Sequence, residues 1–365
     1  MKKNEKRKNS KNRLLLLVLL LCFTVCTSLV ATYAWFTSNK VVDVTDLEVN
    51  VRAVNGLEIS ANAVDWGVRL TKENLVTGYQ GDTNQLPDIL GATSTTGTVS
   101  NNLLSLYNGS VETSCADGTT TCDDPEYRLT TKTDAEIKCY DSLGASENDG
   151  TQSTCTGKQY MAFDIFLKVD NDAELFLTAN ANVLNTSTYD LGIKNSTRVA
   201  FVVQGYIPYA DYRDGISNGD GTTTAGSTAA QNLKGATDDD VIIWEPNYDQ
   251  HTSSGVAAAK KWYGIDTTTV SSQLAYEGIK TNISSASPDF VKLTETNSTT
   301  WPTYFAAVTP DIATTATHTG ATTTLTLKSG VTKVRVYFWV EGQDVDAEND
   351  ATGSDMKLNL EFSIN

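Results

Sequence analysis

Apolar and polar residues alternate in short runs along most of the chain after residue 40, and a period of two predicts strands. The clearest run covers residues 356–364. Met356, Leu358, Leu360, Phe362 and Ile364 fall on one face, and Lys357, Asn359, Glu361 and Ser363 on the other. Just before it, Val334, Val336, Phe338 and Val340 alternate with Lys333, Arg335, Tyr337 and Trp339. Near the start, Leu47, Val49, Val51 and Ala53 alternate with Glu48, Asn50 and Arg52. Asn55-Gly56 follows, a hairpin signal that leads to Leu57 and Ile59. Phe163, Ile165, Leu167 and Val169 form a further strand, and the Asn171-Asp172 turn leads on to Leu175 and Leu177. Val199, Phe201 and Val203, the run 241–244, and Leu325 with Leu327 complete the set.

Small polar segments separate these runs. Residues 93–102 and 214–237 read as connections, and 314–326 holds eight threonines in thirteen residues, suited equally to strand and to O-linked sugar. Short strands with irregular connections predict an all-β fold, a jelly-roll-like β-sandwich ectodomain behind an N-terminal signal or anchor helix. The expected division is 1–35 for the leader and 36–365 for the sandwich, with a disulfide-braced insert at about 80–157. A split into two domains near residue 158 is the alternative.

The leader changes the picture from fold to location. Residues 2–13 carry seven basic side chains against Glu5 alone, and residues 14–30 are uncharged and largely apolar. A basic segment followed by an apolar one is an export signal, and the basic side stays in the cytoplasm. The expected location is therefore extracellular or cell-surface. Thr32 and Ala34 fit the small positions before a peptidase cut. Tyr33, Trp35 and Phe36 equally fit a membrane interface, so both a cleaved signal and an uncleaved anchor stand. Lipid attachment is not expected, since Leu21 and Val25 precede Cys22 and Cys26.

Charge agrees with export. The chain carries −16, and residues 36–365 alone hold 21 basic and 43 acidic residues, a net −22. Such a field repels nucleic acid and anionic lipid, so no nucleic-acid partner is expected. Cys115, Cys122, Cys139 and Cys155 lie in a stretch rich in Asp, Thr, Gly and Ser with little to bury. Pairing of neighbours, 115 with 122 and 139 with 155, is the expected arrangement; a four-cysteine zinc site and free thiols are the alternatives.

Residues 31–37, Ala-Thr-Tyr-Ala-Trp-Phe-Thr, resemble the end of SipW-type signal peptides, around Thr32, Ala34, Trp35 and Phe36. Trp35 stands where a small residue is usual. Such SipW-dependent signals precede the TasA and camelysin group of secreted proteins in gram-positive bacteria. The resemblance implies removal by a signal peptidase of SipW type and a mature β-sandwich that assembles into biofilm matrix fibres. Residues 333–349 also resemble a recurring C-terminal stretch of exported gram-positive proteins. For assembly, the strand near residues 41–53 offers two readings. It pairs within its own chain, or it completes a neighbour's sheet by strand addition.

Candidate chemistry is sparse. His251 and His318 lie far apart outside any catalytic motif, and both read as surface residues. Neither H-E-x-x-H nor a phosphate-binding glycine loop occurs. The chain is therefore expected not to be an enzyme and to need no cofactor, calcium excepted. Asp344, Asp346, Glu348 and Asp350 place oxygens at alternate positions after the 334–340 strand, a calcium pattern, although an acidic connection explains them equally. Asp238-Asp239-Asp240 reads as a solvated turn. Tyr337 and Trp339 share a face with Lys333 and Arg335, either a binding face or a face that another layer covers. Two functions follow: a structural or adhesive surface protein that self-associates, or a monomeric module binding carbohydrate or peptide.

Overall fold

The computed structural model describes residues 42–52, 56–79, 84–114, 126–133, 135–141, 155, 157–187, 192–253, 310–315, 322–342, 344, 346–347 and 355–365. Thr32, Ala34, Trp35, Phe36, Cys115, Cys122, Glu348 and Asp350 lie outside the described residues. Among the described residues no helix is long and apolar enough to cross a membrane.

The strands are β1 (Val42–Val51), β2 (Glu58–Ser60), β3 (Arg69–Thr71), β4 (Gln85–Leu86), β5 (Ile89–Leu90), β6 (Ala92–Ser100) and β7 (Leu103–Ser114). Next come β8 (Glu126–Thr133), β9 (Cys139–Tyr140), β10 (Met161–Val169), β11 (Ala173–Leu177), β12 (Asn182–Asn185) and β13 (Thr197–Pro208). The series ends with β14 (Ile216–Ser217), β15 (Thr223–Thr224), β16 (Val241–Pro246), β17 (Ile312–Thr314), β18 (Thr322–Leu327), β19 (Gly330–Glu341) and β20 (Asp355–Ile364). Three one-turn helices, α1 (Lys72–Thr77), α2 (Tyr209–Asp214) and α3 (Gly226–Gln231), sit between strands.

Two sheets form the sandwich. The first runs β18-β11-β20-β1-β3, with β12 also on β20 and β5 on β1. The second runs β17-β16-β13-β19-β10-β4-β9, with β2 on β10 and β6 on β19. Alternation explains the first sheet directly. Strand β20 buries every second residue, Met356 to Ile364, and leaves the others half-exposed. Strand β1 lies parallel beside it, with Leu47 opposite Leu358, Val49 opposite Leu360 and Val51 opposite Phe362. These side chains meet Phe163, Ile165, Phe201, Val334, Val336 and Phe338 of the second sheet in one core. Phe201 and Phe362 touch edge to face across it, with ring centroids 5.7 Å apart. An all-β sandwich is thus the observed class. The parallel β1–β20 pair departs from a fully antiparallel jelly roll.

The Asn55-Gly56 hairpin expected from sequence does not form. Strand β1 belongs to the first sheet, whereas β2 pairs antiparallel with β10 in the second. Leu57 and Ile59 point into the same core from the opposite side, so burial is satisfied by crossing the sandwich rather than by pairing back. Residues 93–100, read as a connection, instead make strand β6 and pair with β7. Threonine suits a pleated, half-buried surface, which explains the strand. Asn101 and Asn102, with φ of 52° and 68°, make the two-residue turn that joins β6 to β7.

The second sheet differs from the first in one respect: all twelve residues of β19 are buried. One face of β19 lies in the sandwich core. The other is covered by a third layer. At one end Leu104 and Leu106 of β7 pack with Tyr160, Ala236, Tyr337 and Trp339. At the other, Ala63, Ala230 and Ile207 pack with Phe166 and Val331. Gly330 allows the close approach of β13 there. A Cβ on it would lie 2.0 Å from the Ile207 carbonyl, and its φ is +134°.

The fold predicts a sharp asymmetry along β20. Leu360→Ala should lower the unfolding free energy by about 2–5 kcal/mol, while Ser363→Ala on the other face should change it by less than about 0.5 kcal/mol. Urea denaturation of both variants measures the difference.

Candidate functional site

The third layer buries polar chemistry as well as apolar surface. Two ionic clusters lie on the outer face of the second sheet. The first centres on Asp164 of β10. Arg335 Nη1 donates to Asp164 Oδ1 at 2.9 Å, and Tyr79 Oη donates to Asp164 Oδ2 at 2.6 Å. Lys333 Nζ lies 3.3 Å from Asp164 Oδ2 and donates to the Gln231 carbonyl at 2.8 Å. Arg335 also pairs with Glu136. Burial pushes the Asp164 carboxyl up, but the charges of Arg335 and Lys333 and the Tyr79 hydrogen bond outweigh it and hold it below the usual range. Burial pulls Lys333 down despite Asp164. Two cations thus face two carboxylates, so charge balances within the cluster.

The second cluster sits at the opposite end of β13 and β19. Arg198 Nη2 contacts Glu245 Oε1 at 2.9 Å and Asp344 Oδ2 at 2.8 Å, with all three side chains almost wholly buried. Asp344 Oδ1 accepts the backbone N–H of Asp346 at 2.9 Å. Asp346 Oδ2 lies 2.9 Å from His251 Nδ1. Its other oxygen accepts from Thr252, from N at 2.9 Å and from Oγ1 at 2.7 Å. Asn195 Nδ2 donates to Asp346 Oδ2 at 3.3 Å. Ligand-type atoms of His251, Asp344 and Asp346 all fall within 4.8 Å of one another. Burial drives the Asp344 carboxyl upward; Arg198 opposes the rise and the Asp346 charge adds to it.

Three chain segments build this cluster. Asn195 lies in a single 3-10 turn that ends at Thr197, where β13 begins. His251 follows β16 and its turn at Asn247, whose φ is +60°. Asp344 and Asp346 follow β19, and backbone N–H bonds from Asp344 to the Glu341 carbonyl and from Ala347 to the Asp344 carbonyl wind the chain there. That winding turns both carboxylates inward, where they are at most 6% exposed. Glu348 and Asp350, the other two oxygens of the calcium pattern, lie outside the described residues.

Tyr337 and Trp339, read as either a binding face or a face that another layer covers, lie on a covered face. Both are 0% exposed, as the β6–β7 hairpin lies over them. Leu104 N donates to Tyr337 Oη at 3.0 Å, and Trp339 Nε1 donates to Glu341 Oε2 at 3.2 Å. Burial raises the Tyr337 hydroxyl well above its ordinary value. His251, read as a surface residue, is buried against Asp346. Cys139 and Cys155 are joined by a disulfide. Asp238–Asp240 form an exposed turn, with Asp240 accepting from Thr237 N and Oγ1 at 2.8 and 2.7 Å.

Sequence reading missed Asn195, Arg198 and Glu245. The signal was present for two of them. Arg198 directly precedes the apolar run 199–203, and Glu245 directly follows 241–244. A charge against a continuous apolar run marks a strand buried on both faces that carries an ion pair. No protein-family model, curated protein or solved structure matches the chain.

Asp164 sets an acid limit. Its ionised form is favoured by folding, so its contribution is complete above the unfolded value, about pH 3.9, and disappears as pH falls through the lower folded value. Asp164→Asn leaves two buried cations short of a partner and should cost about 3–5 kcal/mol at neutral pH. Between about pH 5 and pH 2 the variant's stability should fall less steeply than the parent's, as measured by urea melts at each pH.

Proposed function

We propose that this chain is an exported structural or adhesive protein of the cell surface, a biofilm matrix fibre subunit that acts by self-association without turnover. The observation that carries the reading is an order: a basic segment and an apolar segment, then an acidic all-β sandwich whose first strand, β1, lies beside β20. The resemblance of residues 31–37 to SipW-type signals supports it and names the partner class, a signal peptidase of SipW type. Secreted and membrane-tethered forms differ only in whether the leader is cut. The monomeric carbohydrate- or peptide-binding reading loses its best residues, because Tyr337 and Trp339 are buried.

Assembly through strand addition gives β1 two possible hosts. In its own chain β1 lies between β20 and β3, with eight residue pairs in parallel register to β20. A neighbour's β1 would fill the same slot with the same apolar residues, and main-chain hydrogen bonds would carry the affinity. Purified residues 36–365 should form fibres visible by electron microscopy as concentration rises. A protein that remains monomeric at every concentration overturns the reading. Deleting residues 36–53 should abolish fibres, and fibres that persist would exclude β1 from the contact.

Export has its own check. Protease added to intact cells should digest the sandwich, or the sandwich should appear in the medium. Full-length protein protected in the cytosol would contradict it.

A further inference from the structure

We propose that His251, Asp346 and Asp344 hold a divalent first-row transition-metal ion, zinc being the probe, with the Asn195 amide oxygen completing the donor set. The geometry needs little change to accept one. Zinc takes nitrogen and oxygen at about 2.0–2.2 Å, so two ligand atoms on one ion sit roughly 3 Å apart. His251 Nδ1 and Asp346 Oδ2 are 2.9 Å apart, and the three-residue group spans no more than 4.8 Å. The ion takes the place of the proton shared between them, since a ligating imidazole nitrogen is deprotonated. A carboxylate oxygen offers two lone-pair directions, so Asp344 Oδ1 and Asp346 Oδ2 each accept a hydrogen bond and retain a site for the ion.

Asn195 supplies the independent observation. It is 5% exposed, and its Oδ1 has no hydrogen-bond partner among the described residues. A buried carbonyl oxygen in that state is unusual, because such groups are almost always satisfied. Its own amide nitrogen reaches Asp346 Oδ2 at 3.3 Å, so the side chain borders the carboxylate pair, and a turn of the amide group would bring its oxygen to an ion there. A cation there satisfies it.

The surrounding contacts resemble the supports that ligands need. Thr252 N and Oγ1 fix Asp346 Oδ1, and Arg198 fixes Asp344 Oδ2. The imidazole decides the metal class. Calcium and magnesium take oxygen ligands, whereas a mixed nitrogen and oxygen set suits zinc and its neighbours. The role is structural. The ligands arrive from the start of β13, the end of β16 and the end of β19, so one ion would staple three segments of the second sheet at one end.

The test uses the full chain, stripped with chelator and dialysed against micromolar zinc. Elemental analysis should find about one retained zinc per chain at this closed type of site, with a rise of several degrees in Tm. His251→Gln and Asp346→Asn should each weaken retention at least tenfold. If those variants do not fold, cobalt in the unaltered protein still decides. It should give a visible absorption of four- or five-coordinate character that zinc bleaches stoichiometrically. The proposal is overturned if the unaltered protein retains no zinc, if folded His251→Gln retains as much, if cobalt binds only as the six-coordinate aquo-like ion, or if calcium raises Tm as far as zinc does. Fibre formation is a separate measurement, so either result leaves the functional reading to its own test.

Discussion

Strand β19 has no solvent-facing side, and each polar group on its outer face has to be satisfied inside the protein. That constraint organises much of the second sheet. Lys333 and Arg335 find Asp164 across the β10 pairing, where Asp164 stands directly opposite Arg335. Tyr337 finds the backbone of the β6–β7 hairpin, and Trp339 finds Glu341 two residues along its own strand. Arg198, opposite Trp339 on β13, finds Asp344 just beyond the end of β19. The third layer is therefore defined as much by where charges must go as by where apolar residues pack.

Burial of ion pairs is a poor source of net stability, because desolvation offsets most of the attraction. Its consequence here is positional. An Arg or Lys that loses its partner in this layer becomes an uncompensated buried charge, so alternative packings of the β6–β7 hairpin or of α2 and α3 over the sheet are strongly disfavoured. The apolar core between the sheets lacks that selectivity, since its Leu, Val and Phe positions tolerate volume-conserving exchange. One face of β19 thus contributes most of the hydrophobic stabilisation, and the other fixes which arrangement of the covering elements is accepted.

This division also explains how much could be read from the chain. The first sheet was legible because its outer face meets solvent. Residues 356–364 and 47–51 alternate cleanly, and the structure buries the apolar set as the pattern requires. The strands of the second sheet were legible as strands but not as a covered surface. Alternation of Val334, Val336, Phe338 and Val340 with Lys333, Arg335, Tyr337 and Trp339 is the same whether the second face meets water or a layer of compensating charges. The information that decides it lies far away, in Asp164, Glu136, Tyr79 and Leu104. The Asn55-Gly56 signal misled for a related reason. Local turn chemistry describes a bend but not which sheet receives the next strand, and Ile59 gained more by facing Leu167 than by returning beside β1. The candidate ion site was half legible: Asp344 and Asp346 stood out by spacing, while His251 and Asn195 join them only through the fold.

The parallel β1–β20 pair ties the export reading to the fold. On that reading a leader is made first and β1 follows it in the chain, yet the partner that β1 needs lies more than 300 residues later, Leu47 against Leu358. Until β20 is delivered, β1 has, among the described residues, only the short strands β3 and β5 to pair with, three and two residues of register respectively. On the export reading the first sheet cannot close before β20 has crossed the membrane, and β1 stays without its main partner during that interval. Pairing at such separation is slow, because loop closure must precede the contacts that reward it. Strand β20, with Leu358, Leu360 and Phe362, and a free β1 of matching pattern are the two halves of an intermolecular contact as much as of an intramolecular one. On that reading local concentration would decide between them: chains exported singly would close on themselves, and chains exported side by side would have a neighbour's β20 within reach.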